Sequence, residues 1–293
     1  VFKISELQEL LKGPQKYWLI RKDIRPQIRF KNFGKKEISP IKKINFVEKI
    51  LNKVNIDNIN FAENILNINL KEEIISEGII APKNSIFDLE KELKLSIISL
   101  IDVLNNFNDI KKFTYKNNIN RESFYISNKE IIELKHSKLS LNNIVDSWVR
   151  LLFVVSQNDK IESTKLIFLK DNNYKIQKIN SPGNKNAIKI LSVYSNIYFE
   201  HKIKCLPIPP ISSFNYMSTL KYQDKEKAIN IFKKTWVGNE FSLGEREKFE
   251  MKLCFGEFKE AEFFTKNYSF NELADILYKP IVESLSNERN LIL

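Results

Sequence analysis

Apolar residues at helical spacing dominate the first hundred positions, and strict alternation follows. Leu7, Leu10 and Leu11 form the stripe of a first helix, and Ser5 with Gln8 three positions later supplies a capping-box pattern. Gly13 ends that helix, and Pro14 stands where a second one takes its first residue, with Tyr17, Trp18 and Ile20 as its expected apolar face. Between Phe46 and Ile75 the spacing of Phe46, Ile50 and Val54, then Phe61, Ile65 and Ile68, predicts two or three short helices. Gly78 and Pro82 interrupt the pattern. Ser85 is the expected cap of a long amphipathic helix with Leu89, Leu93, Ile97, Leu100, Ile101 and Leu104 on one side.

From Lys112 the period becomes two. Lys112–Tyr115, Ser123–Ser127 and Glu130–Lys135 predict an antiparallel meander, the last two strands joined across Asn128-Lys129. A helix from about Leu141 to Val155 ends in the run Leu151-Leu-Phe-Val-Val155, which predicts burial on several sides. Two further strands, Lys165–Leu169 and Tyr174–Ile179, flank the turn at Asp171-Asn172-Asn173, and Ser181-Pro182 opens a helix reaching Ile203. Pro207, Pro209 and Pro210 predict an extended surface connector from Leu206 to Ile211, followed by helices near Asp224–Trp236, Phe258–Lys266 and Phe270–Ser284.

This order predicts an α/β (α+β) fold: a restriction-endonuclease-like mixed sheet flanked by helices, with a helical N-terminal insertion, rather than a Rossmann arrangement. A single nuclease-like domain over residues 1–293 is expected, with a helical subregion at 40–107, the central sheet and helices at 108–205, and a C-terminal helical region at 206–293.

A chain of 293 residues can bury a substantial core. No apolar stretch approaches the roughly 20 residues that span a bilayer, and no signal peptide is recognisable, so no membrane partner is expected. The chain begins with Val1 rather than Met, and it is expected to be a piece of a longer protein. Its two cysteines, Cys205 and Cys254, lie far apart in no metal-ligand spacing, which points to a reducing, cytoplasmic compartment. The two histidines, His136 and His201, are too few for a histidine metal site; they are expected at a strand end on the surface and on a helix face. A formal charge of +11 favours a polyanionic partner, although abundant Lys, Asn and Ile also fit an A/T-rich coding bias.

Two constellations bear on chemistry. Glu133 and Lys135 lie two apart on one strand and project together, and a two-residue turn sets Phe124 opposite Glu133 and Glu122 opposite Lys135. Glu122, Glu133 and Lys135 therefore form a candidate metal-dependent DNase site, in which two acids hold a divalent ion and the lysine positions the attacking water. The Ile126-Ser127-Asn128 region, where such sites carry their first acid, has no carboxylate. The competing reading is a cross-strand Glu122–Lys135 ion pair with no catalytic residue, no resident metal and no cofactor.

The second constellation is the basic stretch Arg21, Lys22, Arg25, Arg29, Phe30, Lys35 and Lys36, with Lys31 and Phe33 between, whose charges and rings suit a nucleic-acid backbone and its bases. Trp18, Trp148 and Trp236 sit in apolar periodic contexts and are expected in the core. Seven glycines include no phosphate-cradling Gly-x-x-x-x-Gly-Lys loop.

Five segments in order resemble one family. They are Leu7-Gln-Glu-Leu-Leu-Lys-Gly-Pro14-Gln-Lys-Tyr-Trp18; Glu77-Gly78-Ile-Ile-Ala-Pro82; Trp148-Val-Arg-Leu-Leu152 with Ser163–Leu169; Ala228–Phe232 with Trp236-Val-Gly238 and Gly244-Glu245; and Leu277-Tyr-Lys-Pro280. Together they resemble the C-terminal region of the exodeoxyribonuclease V gamma subunit family (RecC). The resemblance implies a nuclease-like fold without a working active site, serving DNA repair by homologous recombination as architecture. It implies the beta and alpha subunits as partners, double-strand DNA ends and unwound single strands as ligands, and Mg2+ and ATP used only by those partner subunits. Three functions follow as expectations: noncatalytic docking and strand guidance, an active DNase, or an interaction module without DNA contact.

Overall fold

The computed structural model describes residues 3–25, 46–47, 49–50, 61–76, 83–116, 121–171, 173–240, 242–257, 259–266 and 268–286. Helices α1 (Ile4–Lys12) and α2 (Pro14–Arg21) meet at Gly13 as the pattern predicts. The cap differs from the expectation. Lys3 rather than Ser5 holds the N-cap position, and its N–H donates to the Glu6 carboxylate at 3.1 Å. Gln8 is committed elsewhere, its amide donating to the Asp146 carbonyl at 3.2 Å. The buried face of α2 is Pro14, Gln15 and Leu19, while Tyr17 and Trp18 are half-buried and Ile20 is exposed.

Helices α3 (Phe61–Leu66), α4 (Leu70–Ser76) and α5 (Lys83–Leu104) follow. Ser85 lies inside the first turn of α5 rather than capping it. All six apolar residues assigned to the α5 stripe are buried.

Strands β1 (Lys111–Lys116), β2 (Arg121–Ser127) and β3 (Glu130–Lys135) form the antiparallel meander. Both turn residues between β2 and β3 have positive φ, Asn128 at 48° and Lys129 at 67°, the geometry that suits the twist of a two-residue hairpin. Helix α6 (Leu141–Gln157) then carries the chain to β4 (Ser163–Lys170), which lies parallel to β3, and β5 (Asn173–Asn180) returns antiparallel. The result is one five-stranded mixed sheet in sequential order β1-β2-β3-β4-β5. Ser140 caps α6, its hydroxyl accepting from the Asn143 N–H at 3.3 Å.

After β5 come α7 (Asn184–Ile203), α8 (Pro210–Leu220) and α9 (Lys225–Val237), a two-strand hairpin of β6 (Gly238–Asn239) and β7 (Ser242–Leu243), then α10 (Phe249–Phe255), α11 (Glu262–Thr265), α12 (Tyr268–Leu277) and α13 (Lys279–Ser284). The segment from Leu206 to Ile211 does not cross the surface. Leu206 and Ile208 are buried, because the Gln15 amide donates to both carbonyls, at 2.8 and 3.1 Å, and draws the segment inward. Helix α8 starts at Pro210, a position where a proline's missing N–H costs nothing, and the polar Ser212, Ser213 and Asn215 that hid it in the sequence are fully buried.

Helices cover both faces of the sheet. Side chains alternate between them, so Ile131, Leu166 and Ile179 pack into one core with α1, α6, α7 and the C-terminal helices. Ile132, Ile167 and Tyr174 pack into the other core with α4 and α5. Trp148 and Trp236 are core residues as expected, whereas Trp18 is only half-buried. No helix among the described residues is long and apolar enough to cross a membrane.

One close approach explains a glycine pair. A Cβ on Gly244 would meet the Val237 carbonyl carbon at 2.2 Å, and Gly238, at φ +82°, faces Gly244 across the same contact. This backbone-on-backbone packing sets Glu245 beneath the start of α8, where its carboxylate accepts from the Ile211 N–H at 3.0 Å and from the Ser212 N–H and hydroxyl, each at 2.7 Å. The acid satisfies orphan donors and complements the positive end of the helix dipole.

Candidate functional site

Glu133 sits on β3 with its side chain under α6, 5% exposed. Its Oε1 lies 2.7 Å from the Arg150 Nη1 in a charge pair that is close without the alignment of a hydrogen bond, and its Oε2 accepts from the Ser147 hydroxyl at 2.9 Å. Ser147 and Arg150 are three apart on α6 and therefore share the helix face that meets the strand. Both carboxylate oxygens are engaged by the neighbouring helix, so the acid ties strand to helix.

The expected cross-strand partners fall outside the hairpin ladder. The β2–β3 pairing runs only from Tyr125↔Ile132 to Ser127↔Glu130, and Glu133 and Lys135 pair instead with Leu166 and Phe168 of β4. Glu122 pairs on its other side with Tyr115 of β1, and its side chain lies outside the described residues. Lys135 shares the α6 face of β3 with Glu133 and is half-buried. Among the described residues no three His, Cys, Asp or Glu side chains come together in a metal-binding group.

His136 is not a surface residue, and His201 lies on a helix as expected but is buried. His136 is 2% exposed, because its Nδ1 meets the Tyr174 hydroxyl across the sheet. His201 is 1% exposed, near the end of α7. Its Nε2 lies 2.8 Å from the Pro14 carbonyl, and the Leu206 N–H donates to its Nδ1 at 3.3 Å. A carbonyl accepts and an amide donates, so the ring is the neutral Nε2–H tautomer with both nitrogens satisfied. Burial lowers its pKa from the ordinary histidine value, with Arg21 adding to the effect, while hydrogen bonds to backbone carbonyls pull the other way.

This knot binds the start of α2 to the end of α7, and a surface of rings and cations grows from it. The Tyr17 and Trp18 rings lie 6.0 and 5.7 Å from the His201 ring, and Tyr17 lies 6.4 Å from Tyr198. Arg21 stands 5.7 Å over Tyr17, Lys22 stands 4.8 Å over Trp18, and Lys202 covers both Tyr198 at 4.6 Å and Phe199 at 4.8 Å. Arg21, Lys22, Arg25 and Lys202 are exposed, and Phe199 is 44% exposed. Of the basic stretch, the structure therefore places Arg21, Lys22 and Arg25. Arg29, Phe30, Lys35 and Lys36 lie outside the described residues.

Sequence reasoning missed Lys202, Phe199 and Arg150. A lone arginine inside the apolar run of α6 was a readable signal that a buried acid needs a partner. The Tyr198-Phe199 pair with Lys202 at helical spacing was another. No protein-family model matches this chain, and no curated protein matches it.

Proposed function

We propose that this chain is a noncatalytic DNA-processing subunit with a nuclease-like architecture. In particular, it serves as a gamma-subunit piece of an exodeoxyribonuclease V type helicase and nuclease complex, docking to the beta and alpha subunits and guiding unwound strands. The observation that carries the reading is the state of Glu133: of the two acids of the expected Glu122, Glu133 and Lys135 site, it is the one whose side chain is described, and it is engaged by Arg150 and Ser147. A carboxylate neutralised by a guanidinium is a poor metal ligand, because the ion must displace a partner of like charge. The order helix, three antiparallel strands, crossover helix and parallel fourth strand supports a restriction-endonuclease-like reading of the sheet.

The α2–α7 surface supports the strand-guiding part. Cations track phosphates and exposed rings stack on bases without sequence preference, the combination that single-strand binders use. Ile20, Ile24 and Ile203 are exposed at the same surface and suit docking to a protein partner. Two assays on the purified chain test the proposal. Affinity for single-stranded DNA should fall steeply as salt rises, and a flat or absent response overturns strand guidance. Magnesium-dependent nicking that disappears in Glu133→Ala overturns the noncatalytic assignment.

A further inference from the structure

Where the end of β5 meets α7, α12 and α13, the chain borders a cavity of about 510 Å³. That volume lies within the roughly 300–1,000 Å³ of ordinary small-molecule sites. Trp148 and Tyr194, both buried, line its inner side. The Trp148 Nε1–H donates to the Tyr194 hydroxyl at 3.3 Å, and that hydroxyl donates to the Leu277 carbonyl at 2.9 Å. The polar atoms of both rings are thus engaged with each other and with backbone, so the rings have carbon left to offer a ligand. Half-buried Ile190, Val193, Ile276 and Pro280 continue the apolar lining.

The charged lining is different in kind. Lys189 on α7 and Glu283 on α13 both border the cavity and are exposed, which places them at its mouth. Among the described residues neither forms an ion pair, so one free cation and one free anion flank a single apolar interior. A carboxylate ligand uses only Lys189, an amine uses only Glu283, and a neutral hydrocarbon uses neither. A ligand that carries both charges on an apolar body answers the whole lining. We propose that the cavity binds short apolar peptides with free termini, dipeptides above all. The ammonium sits at Glu283, the carboxylate at Lys189, and the apolar side chains lie against Trp148 and Tyr194. The site lies apart from the α2–α7 surface and does not depend on the proposed DNA role.

The test is isothermal titration calorimetry of the full chain with the dipeptide phenylalanyl-leucine, its N-acetyl form and its C-terminal amide. The free dipeptide should bind once per chain with a Kd on the order of 100 µM. Each capped form should bind roughly 2- to 5-fold more weakly, the loss of one exposed charge contact. Glu283→Gln should lower the affinity for the free dipeptide to that of the N-acetyl form and leave the N-acetyl form unaffected. Lys189→Met should do the same with respect to the amide. Ile190→Trp, which fills the cavity, should abolish binding. No saturable heat at millimolar dipeptide overturns the inference. So do capped forms that bind the wild type as tightly as the free dipeptide, an outcome read without any variant, and so does a folded Ile190→Trp chain that still binds.

Discussion

The β3–α6 contact and the α2–α7 surface treat their polar groups in opposite ways. Beneath α6 the Glu133 carboxylate is closed off by an arginine and a serine of the adjoining helix. On α2 and α7 the cations lie over aromatic rings, of which Tyr17 and Trp18 pack on the His201 ring, and their charges face outward. Lys202 and Lys22 give up little by leaving a ring for a phosphate, since an exposed cation–π contact contributes only about 0.5–1 kcal/mol. Removing Arg150 from Glu133 strands a buried charge instead. Chemistry that needs an available group therefore belongs to the surface, and the interior acid belongs to the architecture.

The largest effect is expected inside. Arg150→Met should lose about 3–5 kcal/mol in a denaturant titration, because Glu133 is left buried and unpaired, and adding Glu133→Leu should recover much of that loss. An Arg150→Met chain of unchanged stability breaks the interior half of the comparison. Glu245→Ala extends the same rule to the second buried acid. It orphans the Ile211 and Ser212 donors and should cost about 1–3 kcal/mol by the same titration, without altering strand affinity.

On the surface, Phe199→Ala should leave the unfolding midpoint nearly unchanged while weakening single-stranded DNA binding by roughly 5- to 100-fold, the loss of one stacked base, as read by fluorescence anisotropy. His201, buried beneath the surface rings, gives the smallest signal. Its folded pKa is lowered from the ordinary 6.5 and the unfolded chain keeps that ordinary value, so its contribution is complete above about pH 6.5. It is lost as pH falls from there through the folded value. A His201→Gln chain should show a shallower stability loss between neutral and acid pH than the wild type.

Legibility followed periodicity. The α5 stripe, the meander and the crossover helix were readable because their apolar residues recur at each element's own spacing, which the local sequence states. Helix α8 was not readable: its buried Ser212, Ser213 and Asn215 look like a surface segment until Glu245 and Thr235 arrive from elsewhere in the chain to satisfy Ser212 and Asn215. The three prolines deepened the error, since Pro210 opens the helix it was expected to prevent. The burial of His136 was hidden for the same reason, its partner Tyr174 being 38 residues away, and His201, on its helix as expected, gave no sign of its bond to Pro14, 187 residues away. At the candidate site the pair Glu133 and Lys135 was legible, but its environment was not. The strand-to-helix ion pair depends on α6 lying over β3, a tertiary fact that no local spacing states.

The most direct test of the outward-facing surface is the salt dependence of single-stranded DNA affinity for the wild type, Arg21→Ala and Lys202→Ala, measured on chains matched for unfolding midpoint. Each substitution should reduce the slope of log affinity against log salt by about 0.7, the loss of one phosphate contact on a single strand. Slopes that coincide for all three chains would contradict the account and move any DNA contact away from α2 and α7.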